Sequence, residues 1–212
     1  MINTTLFYIF IGISLILVWG YFYGRKKNKQ FAQAAINSLI DLTQPYDQKI
    51  TNIGGVVGYH VELEFQSGKI FSDIKATITL MARHSLLYWP ISKLVRKFDR
   101  FFIRAKLAKK ICSAEAHIIE KQFFKNKRQG KINSALTQKN YQIGDTEFYI
   151  FSKDKCDEQF LGKLLEKIKK EDRLKEVSIY PLDKKVEILI VPALKNNQKL
   201  LKPIMEMISK SD

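Results

Sequence analysis

The sequence predicts an α+β fold, in which a single N-terminal transmembrane helix precedes a mostly antiparallel β-sheet domain covered by C-terminal amphipathic helices. Three observations predict it. Residues 6–23 form a charge-free apolar run, residues 56–82 alternate apolar and polar with a period of two, and residues 156–170 and 200–208 carry apolar positions at helical spacing around a second pair of alternating segments. The 212 residues suffice for a real core, and 46% hydrophobic against 27% charged residues excludes a chain dominated by disorder. Cys112 and Cys156 are too few for a disulfide scaffold, and neither belongs to a CxxC pair, so structural zinc and thioredoxin-like redox chemistry lose their usual signal.

Leu6 to Tyr23 reads LFYIFIGISLILVWGYFY. At roughly 1.5 Å rise per residue these eighteen residues cover about 27 Å, close to the thickness of a bilayer's hydrocarbon core. Trp19, Tyr21 and Tyr23 crowd one end as an interfacial aromatic belt does. A cleaved signal peptide would need a positive n-region, a shorter apolar core and a small-residue cleavage site, and this pattern has none of them. The positive block Arg25, Lys26, Lys27 and Lys29 follows the run, so the positive-inside rule predicts a signal anchor: residues 1–5 as a short extracytoplasmic tail, residues 6–23 as the span, and residues 25–212 in the cytoplasm.

Residues 24–48 read as a basic juxtamembrane helix and linker. Phe31, Ala35, Leu39 and Leu42 recur at helical spacing, so the span continues as, or kinks into, this helix, and Gln44, Pro45 and Tyr46 end it. Residues 49–140 read as a basic antiparallel β region. In residues 56–65, Tyr59, Val61, Leu63 and Phe65 point one way and Gly58, His60, Glu62 and Glu64 the other. After a turn at Gln66 to Lys69, Ile74, Ala76, Ile78 and Leu80 repeat the period, which predicts a hairpin. FFIRAKL and CSAEAHII suggest two more strands joined by the basic residues 108–110, and Asn126 to Asn140 reads as a polar, Lys-rich exposed connection.

Residues 141–212 read as β-α-β-β-α. Thr146 to Phe151 is a strand, and Cys156 to Lys170 is a helix with Phe160, Leu161, Leu164, Leu165 and Ile168 on one stripe, with Asp154 or Asp157 available as N-cap. Glu176 to Tyr180 and Val186 to Val191 flank a turn at Pro181 to Lys185. Leu200 to Ile208 returns to helical spacing, with Pro203 in its first turn or at a kink.

Charge is concentrated towards the membrane. The formal net charge is +15; residues 1–139 hold 22 Lys and Arg against 8 Asp and Glu, and residues 140–212 hold 14 against 13. Between Arg83 and Lys110, Arg83, Lys93, Arg96, Lys97, Arg100, Arg104, Lys106, Lys109 and Lys110 meet the single acid Asp99, interleaved with Tyr88, Trp89, Phe98, Phe101 and Phe102. Trp and Tyr prefer the headgroup level, and Lys and Arg are attracted to anionic lipid by roughly 1 kcal/mol each near the surface. The candidate membrane- or polyanion-binding set is therefore Arg25, Lys26, Lys27, Lys29, Trp89, Lys93, Arg96, Lys97, Arg100 and Arg104. The apolar residues of the stretch, Leu86, Leu87, Trp89, Ile91 and Leu94, read slightly better as core than as membrane-facing.

Other patterns carry less. His60, Glu62 and Glu64 share a strand face and could ligate a metal, but Lys75, Thr77 and Thr79 form the polar face of the partner strand, so Glu–Lys pairing across the hairpin accounts for them better. His84 and His117 have no cluster with His60. Asn52 to Gly58, NIGGVVG, lacks the strand-before, helix-after context of a phosphate loop, and its glycines suit a bend or bulge at the strand entry. Arg83-His84-Ser85 has no nucleophile elbow around it. The function this predicts is a non-enzymatic scaffold or accessory factor at the membrane surface, without cofactor or metal, whose partners are anionic lipid headgroups and a membrane protein. The alternatives are a tethered nucleic-acid or ribosome-facing binding factor, and an enzyme acting on a lipid or envelope substrate.

Overall fold

The computed structural model describes residues 4–127, 132–133, 135–168 and 173–209. Helix α1 (Thr4–Thr43) is one uninterrupted helix of 40 residues, so the apolar run continues into the amphipathic segment without a break. Its first two residues, Thr4 and Thr5, belong to the segment expected as a tail, and residues 1–3 of that tail lie outside the described residues. The two halves of α1 are built differently. From Leu6 to Tyr23 the large apolar side chains stand exposed, save the half-buried Leu17, while Ala32, Ala35, Ile36 and Leu39 are buried. Gln44, with φ 47°, turns the chain out of the helix just before Pro45.

Strands β1 (Asp47–Asn52), β2 (Gly58–Glu64), β3 (Phe71–Thr79) and β4 (Arg100–Leu107) follow, with helix α2 (Trp89–Arg96) inserted before β4. Next come β5 (Ala116–Glu120), α3 (Lys121–Lys127), β6 (Thr137–Ile143), β7 (Thr146–Ser152), α4 (Lys155–Ile168), β8 (Leu174–Tyr180), β9 (Lys185–Ile190) and α5 (Asn197–Ser209). The strands form a nine-stranded sheet in the order β1-β2-β3-β4-β9-β8-β5-β7-β6, with every pairing antiparallel. The expected α+β architecture is thus observed.

The hairpin β2–β3 has the register read from its alternation. Val61, Leu63, Ile74, Ala76 and Ile78 are buried, and Glu62 stands opposite Lys75 with 3.3 Å between their charged groups. His60 shares a hydrogen bond of 3.1 Å with Thr77 on the same face. The NIGGVVG glycines form the β1–β2 turn: Gly55 takes φ 61°, and the Gly54 N–H donates to Asn52 Oδ1.

Several elements depart from the expectation. Residues 137–143, read as part of an exposed connection, form edge strand β6, while residues 128–131 and 134 of that connection lie outside the described residues. The β6 sequence TQKNYQI is exposed or half-buried throughout, so no apolar alternation marks it. Edge strand β1 is exposed at all six positions for the same reason. Helix α4 ends at Ile168, and residues 169–170 of the helix expected there lie outside the described residues. Pro203 sits in the interior of α5, beyond its first turn. Asp154 and Asp157 tether the loop before β5: Asp157 accepts from the Ser113 and Ala114 N–H groups and from Ser113 Oγ, which also reaches Asp154.

The main core lies on one face of the sheet, where the second half of α1 together with α4 and α5 covers Val61, Leu63, Ile74, Ile103, Ile118, Val177 and Ile188. A smaller cluster on the opposite face gathers Ile119, Tyr149, Phe151 and Leu189 under Phe123 of α3. The remainder of that second face is polar. The pairing registers place the end of β3 and β5 and the start of β4 and β8 at one end of the sheet, and α2 lies at that end.

Candidate functional site

The site begins with the small residues of α1. Gly20 and Gly24 are buried one helical turn apart, followed a turn later by Asn28. A Cβ on Gly20 would overlap the Leu86 side chain, and one on Gly24 would overlap the Arg83 carbonyl, so the β3–α2 connection lies directly on the helix. A polar network fixes it there. Asn28 Nδ2 donates to the Met81 carbonyl at 2.9 Å, and Arg83 donates back to Asn28 Oδ1 at 3.1 Å. The Arg83 guanidinium also grips the buried Asp99 carboxylate through two nitrogens, and Asp99 accepts from the Met81 N–H at 2.7 Å. Arg83 packs over the Phe31 ring, with 4.9 Å from its guanidinium carbon to the ring centroid.

The connection carries α2. Pro90 in its first turn suits a helix start, and the buried Ser92, whose Oγ accepts from the Ala82 N–H at 3.2 Å, fixes which side faces the protein. The apolar side chains of α2 are uncovered: Leu94 is 82% exposed and Val95 69%, Ile91 is also exposed, and Leu87, in the turn before the helix, is 76% exposed. The core reading of Leu87, Ile91 and Leu94 is therefore wrong, and Trp89 too is exposed at the start of the helix. Leu86 alone of the five turns inward, onto Gly20. Alternation could not predict this, because α2 buries only one small polar residue, Ser92, and gives its apolar stripe to solvent.

The cations fall in four places. Arg25 donates to the Tyr21 hydroxyl at 3.1 Å, Lys27 lies over the Tyr23 ring, and Lys26 and Lys29 are exposed, so this block rings α1 just past the apolar run. Lys93 lies over the Trp89 ring on the flank of α2. Arg96, Lys97 and Arg100 come together at the end of α2, lining a cleft of about 340 Å³ with Lys175 of β8 and with Phe98, Phe123 and Glu120. Arg104 stands apart, donating to Glu187 at 3.0 Å across β4–β9 on the polar face of the sheet. Lys175 was invisible as a member of this group because it is 75 residues from Arg100 in the chain and arrives through the β8–β9–β4 pairing.

His60, Glu62 and Glu64 gather no further ligand, and among the described residues no group of three His, Cys, Asp or Glu is placed to hold a metal ion. The Lys75 hydrogen bond holds the Glu62 carboxyl below its usual value. Cys112 is buried, and burial together with the neighbouring Asp157 carboxylate pushes its thiol up to about 12. The chain matches no protein-family model and no curated protein sequence. Helix α1 is long and apolar enough to cross a membrane, and its apolar part is almost wholly uncovered by the rest of the protein.

Proposed function

We propose that this protein is a single-pass, membrane-anchored scaffold or accessory factor whose basic α+β domain rests on the cytoplasmic surface of an anionic bilayer, with the N-terminus outside. One observation carries the reading. The α2 connection touches α1 at Gly20 and Gly24, at the end of the apolar run, so a bilayer spanned by residues 6–23 would meet the exposed stripe Leu87, Ile91, Leu94 and Val95 at its interface. An amphipathic helix lying in that plane, flanked by Trp89 and Lys93, is the arrangement in which each exposed side chain gains a favourable environment. Apolar side chains transfer from water with a gain of roughly 1.5–3 kcal/mol when fully covered, which is also why leaving four of them in solvent on and just before a short helix asks for a partner surface.

The test uses the full chain in nanodiscs of phosphatidylcholine and phosphatidylglycerol, with Cys156→Ser and a fluorophore on Leu94→Cys. Spin-labelled lipid should quench this probe strongly and should leave a probe on Leu182→Cys untouched, since Leu182 is 90% exposed in the turn at the opposite end of the sheet. Equal quenching at the two positions, or none at either, would overturn the interfacial placement. Protease protection of a tag following Asp212 in intact cells tests the orientation, and digestion without lysis would reverse it.

A further inference from the structure

The cleft at the end of α2 differs from the rest of the basic surface in being built from three separate parts of the fold. Arg96 and Lys97 come from the α2 terminus, Arg100 from the start of β4 and Lys175 from the start of β8. Among the described lining residues these four cations face one carboxylate, Glu120, which pairs with Lys175 at 2.7 Å. Among the described residues, the neighbouring, larger hollow of about 660 Å³ is lined by Lys121, Lys125 and Lys175 and by Glu120, Asp145 and Glu147, three of each sign, whereas the charged residues lining the smaller cleft are mostly cations.

The cations are also gathered rather than dispersed. Arg100 and Lys175 both lie over the single Phe98 ring, each with 5.7 Å from its charged group to the centroid. Among the described residues the Arg100 guanidinium donates no hydrogen bond, and its Nε is buried without a partner. Like charges drawn to one ring repel, so an anion with several acceptor oxygens at the cleft would relieve the arrangement. Lys97 is held in place by a γ-turn of the rare positive-φ kind (φ 59°, ψ −41°), closed by the Phe98 N–H donating to the Arg96 carbonyl at 2.7 Å.

We propose that this cleft is a discrete binding site for one phosphoester group, with three or four acceptor oxygens accepting from Arg96, Lys97, Arg100 and Lys175, and the phenyl rings of Phe98 and Phe123 against its organic substituent. The site deepens the membrane-surface reading, on which it rests for an anionic lipid headgroup as the source of the phosphate; the phosphate chemistry itself stands without it. Arginine supplies planar paired donors suited to phosphate, which a diffuse lysine field does not.

The experiment is calorimetric titration of the full chain in neutral detergent micelles with dihexanoyl phosphatidylglycerol and, separately, with inorganic phosphate. Saturable binding with one site per chain is expected, weakened at least tenfold in Arg100→Gln and several-fold in Lys97→Gln, and unchanged in Lys106→Gln at the far end of β4. Glu120→Gln should tighten it, because the substitution removes the carboxylate that lines the cleft beside the incoming anion. Binding of both probes supports a lipid headgroup as occupant, and binding of inorganic phosphate alone reassigns the source to a soluble phosphoester. Heat that grows linearly with probe, indifference to Lys97→Gln and Arg100→Gln, or displacement of the lipid by single-stranded RNA at equal ionic strength would overturn the proposal. None of these readouts depends on where α2 sits in a bilayer, so failure here and failure of the depth measurement are separable.

Discussion

Arg83 and Asp99 hold each other through two nitrogen–oxygen contacts while Arg83 also reaches Asn28, so one guanidinium ties the apolar helix to the residue just before β4. Both partners are largely buried, with side-chain exposures of 15% and 4%. A charge removed from water to this degree is tolerable only with its partner present.

Removing one partner should therefore be severe. Arg83→Met leaves the Asp99 carboxylate buried opposite only the Met81 N–H, and a loss of about 3–5 kcal/mol in unfolding free energy is expected, measured on the full chain in micelles. The double variant Arg83→Met, Asp99→Leu should recover much of that loss. A single variant within about 0.5 kcal/mol of the parent would show that the pair is solvated and adds little to the hold on α1.

The glycines of α1 give a sharper contrast. A Cβ at Gly12 meets nothing within 4 Å, whereas at Gly24 it overlaps backbone atoms of Arg83 and His84 that have no rotamer to give way. Gly12→Ala should leave stability unchanged or slightly raised, since alanine favours helix by about 1 kcal/mol. Gly24→Ala should cost about 1–3 kcal/mol through strain and should loosen α2, read as faster hydrogen exchange over residues 81–96. Equal behaviour of the two variants would mean that the connection does not rest on α1.

Much of this architecture could be read from the chain because each legible element buries one face. The alternation of Val61 and Leu63 against His60 and Glu62 fixes both the strand and its register, since a slip of one residue would bury the carboxylate. Phe160 to Ile168 and Leu200 to Ile208 give their helices away likewise. Strands β1 and β6 have no such signature, being exposed edges held by one ladder each. The insertion of β8 and β9 between β4 and β5 is a long-range pairing that no local pattern encodes. For the same reason the basic stretch 93–100 was visible as a run of charge, while its completion by Lys175 and Glu120 was not.

The two cysteines should separate by reactivity. Cys156 is exposed and Cys112 buried with its thiol raised from 9.0 to about 12, so iodoacetamide at pH 8 should modify Cys156 quickly and Cys112 only on unfolding. The sign of the pH dependence follows from the same shift. In the unfolded chain Cys112 ionises near 9.0, and in the folded protein only near 12, so its contribution to stability is complete below pH 9 and is lost as pH rises from 9 towards 12. Cys112→Ala should flatten the stability curve in that window. Modification of both thiols at similar rates in the native protein would place Cys112 at the surface.

Leu94→Glu separates folding from membrane contact. Leu94 is 82% exposed, so the folding free energy in micelles should change by less than about 0.5 kcal/mol. In proteoliposomes containing anionic lipid, an inserted α2 shields the bonds after Lys93, Arg96 and Lys97 from trypsin, and a carboxylate on the inserted face should expose them several-fold faster. Raising the salt from 0.1 M to 1 M shortens the Debye length from about 10 Å to about 3 Å, which weakens the pull of Lys93 and its neighbours but leaves apolar insertion in place. Salt should therefore speed cleavage of the parent only in part, and Leu94→Glu should be fast at both ionic strengths. Should high salt alone expose α2 as fully as the substitution does, the helix is held by charge at the surface, and its apolar stripe awaits another protein rather than lipid.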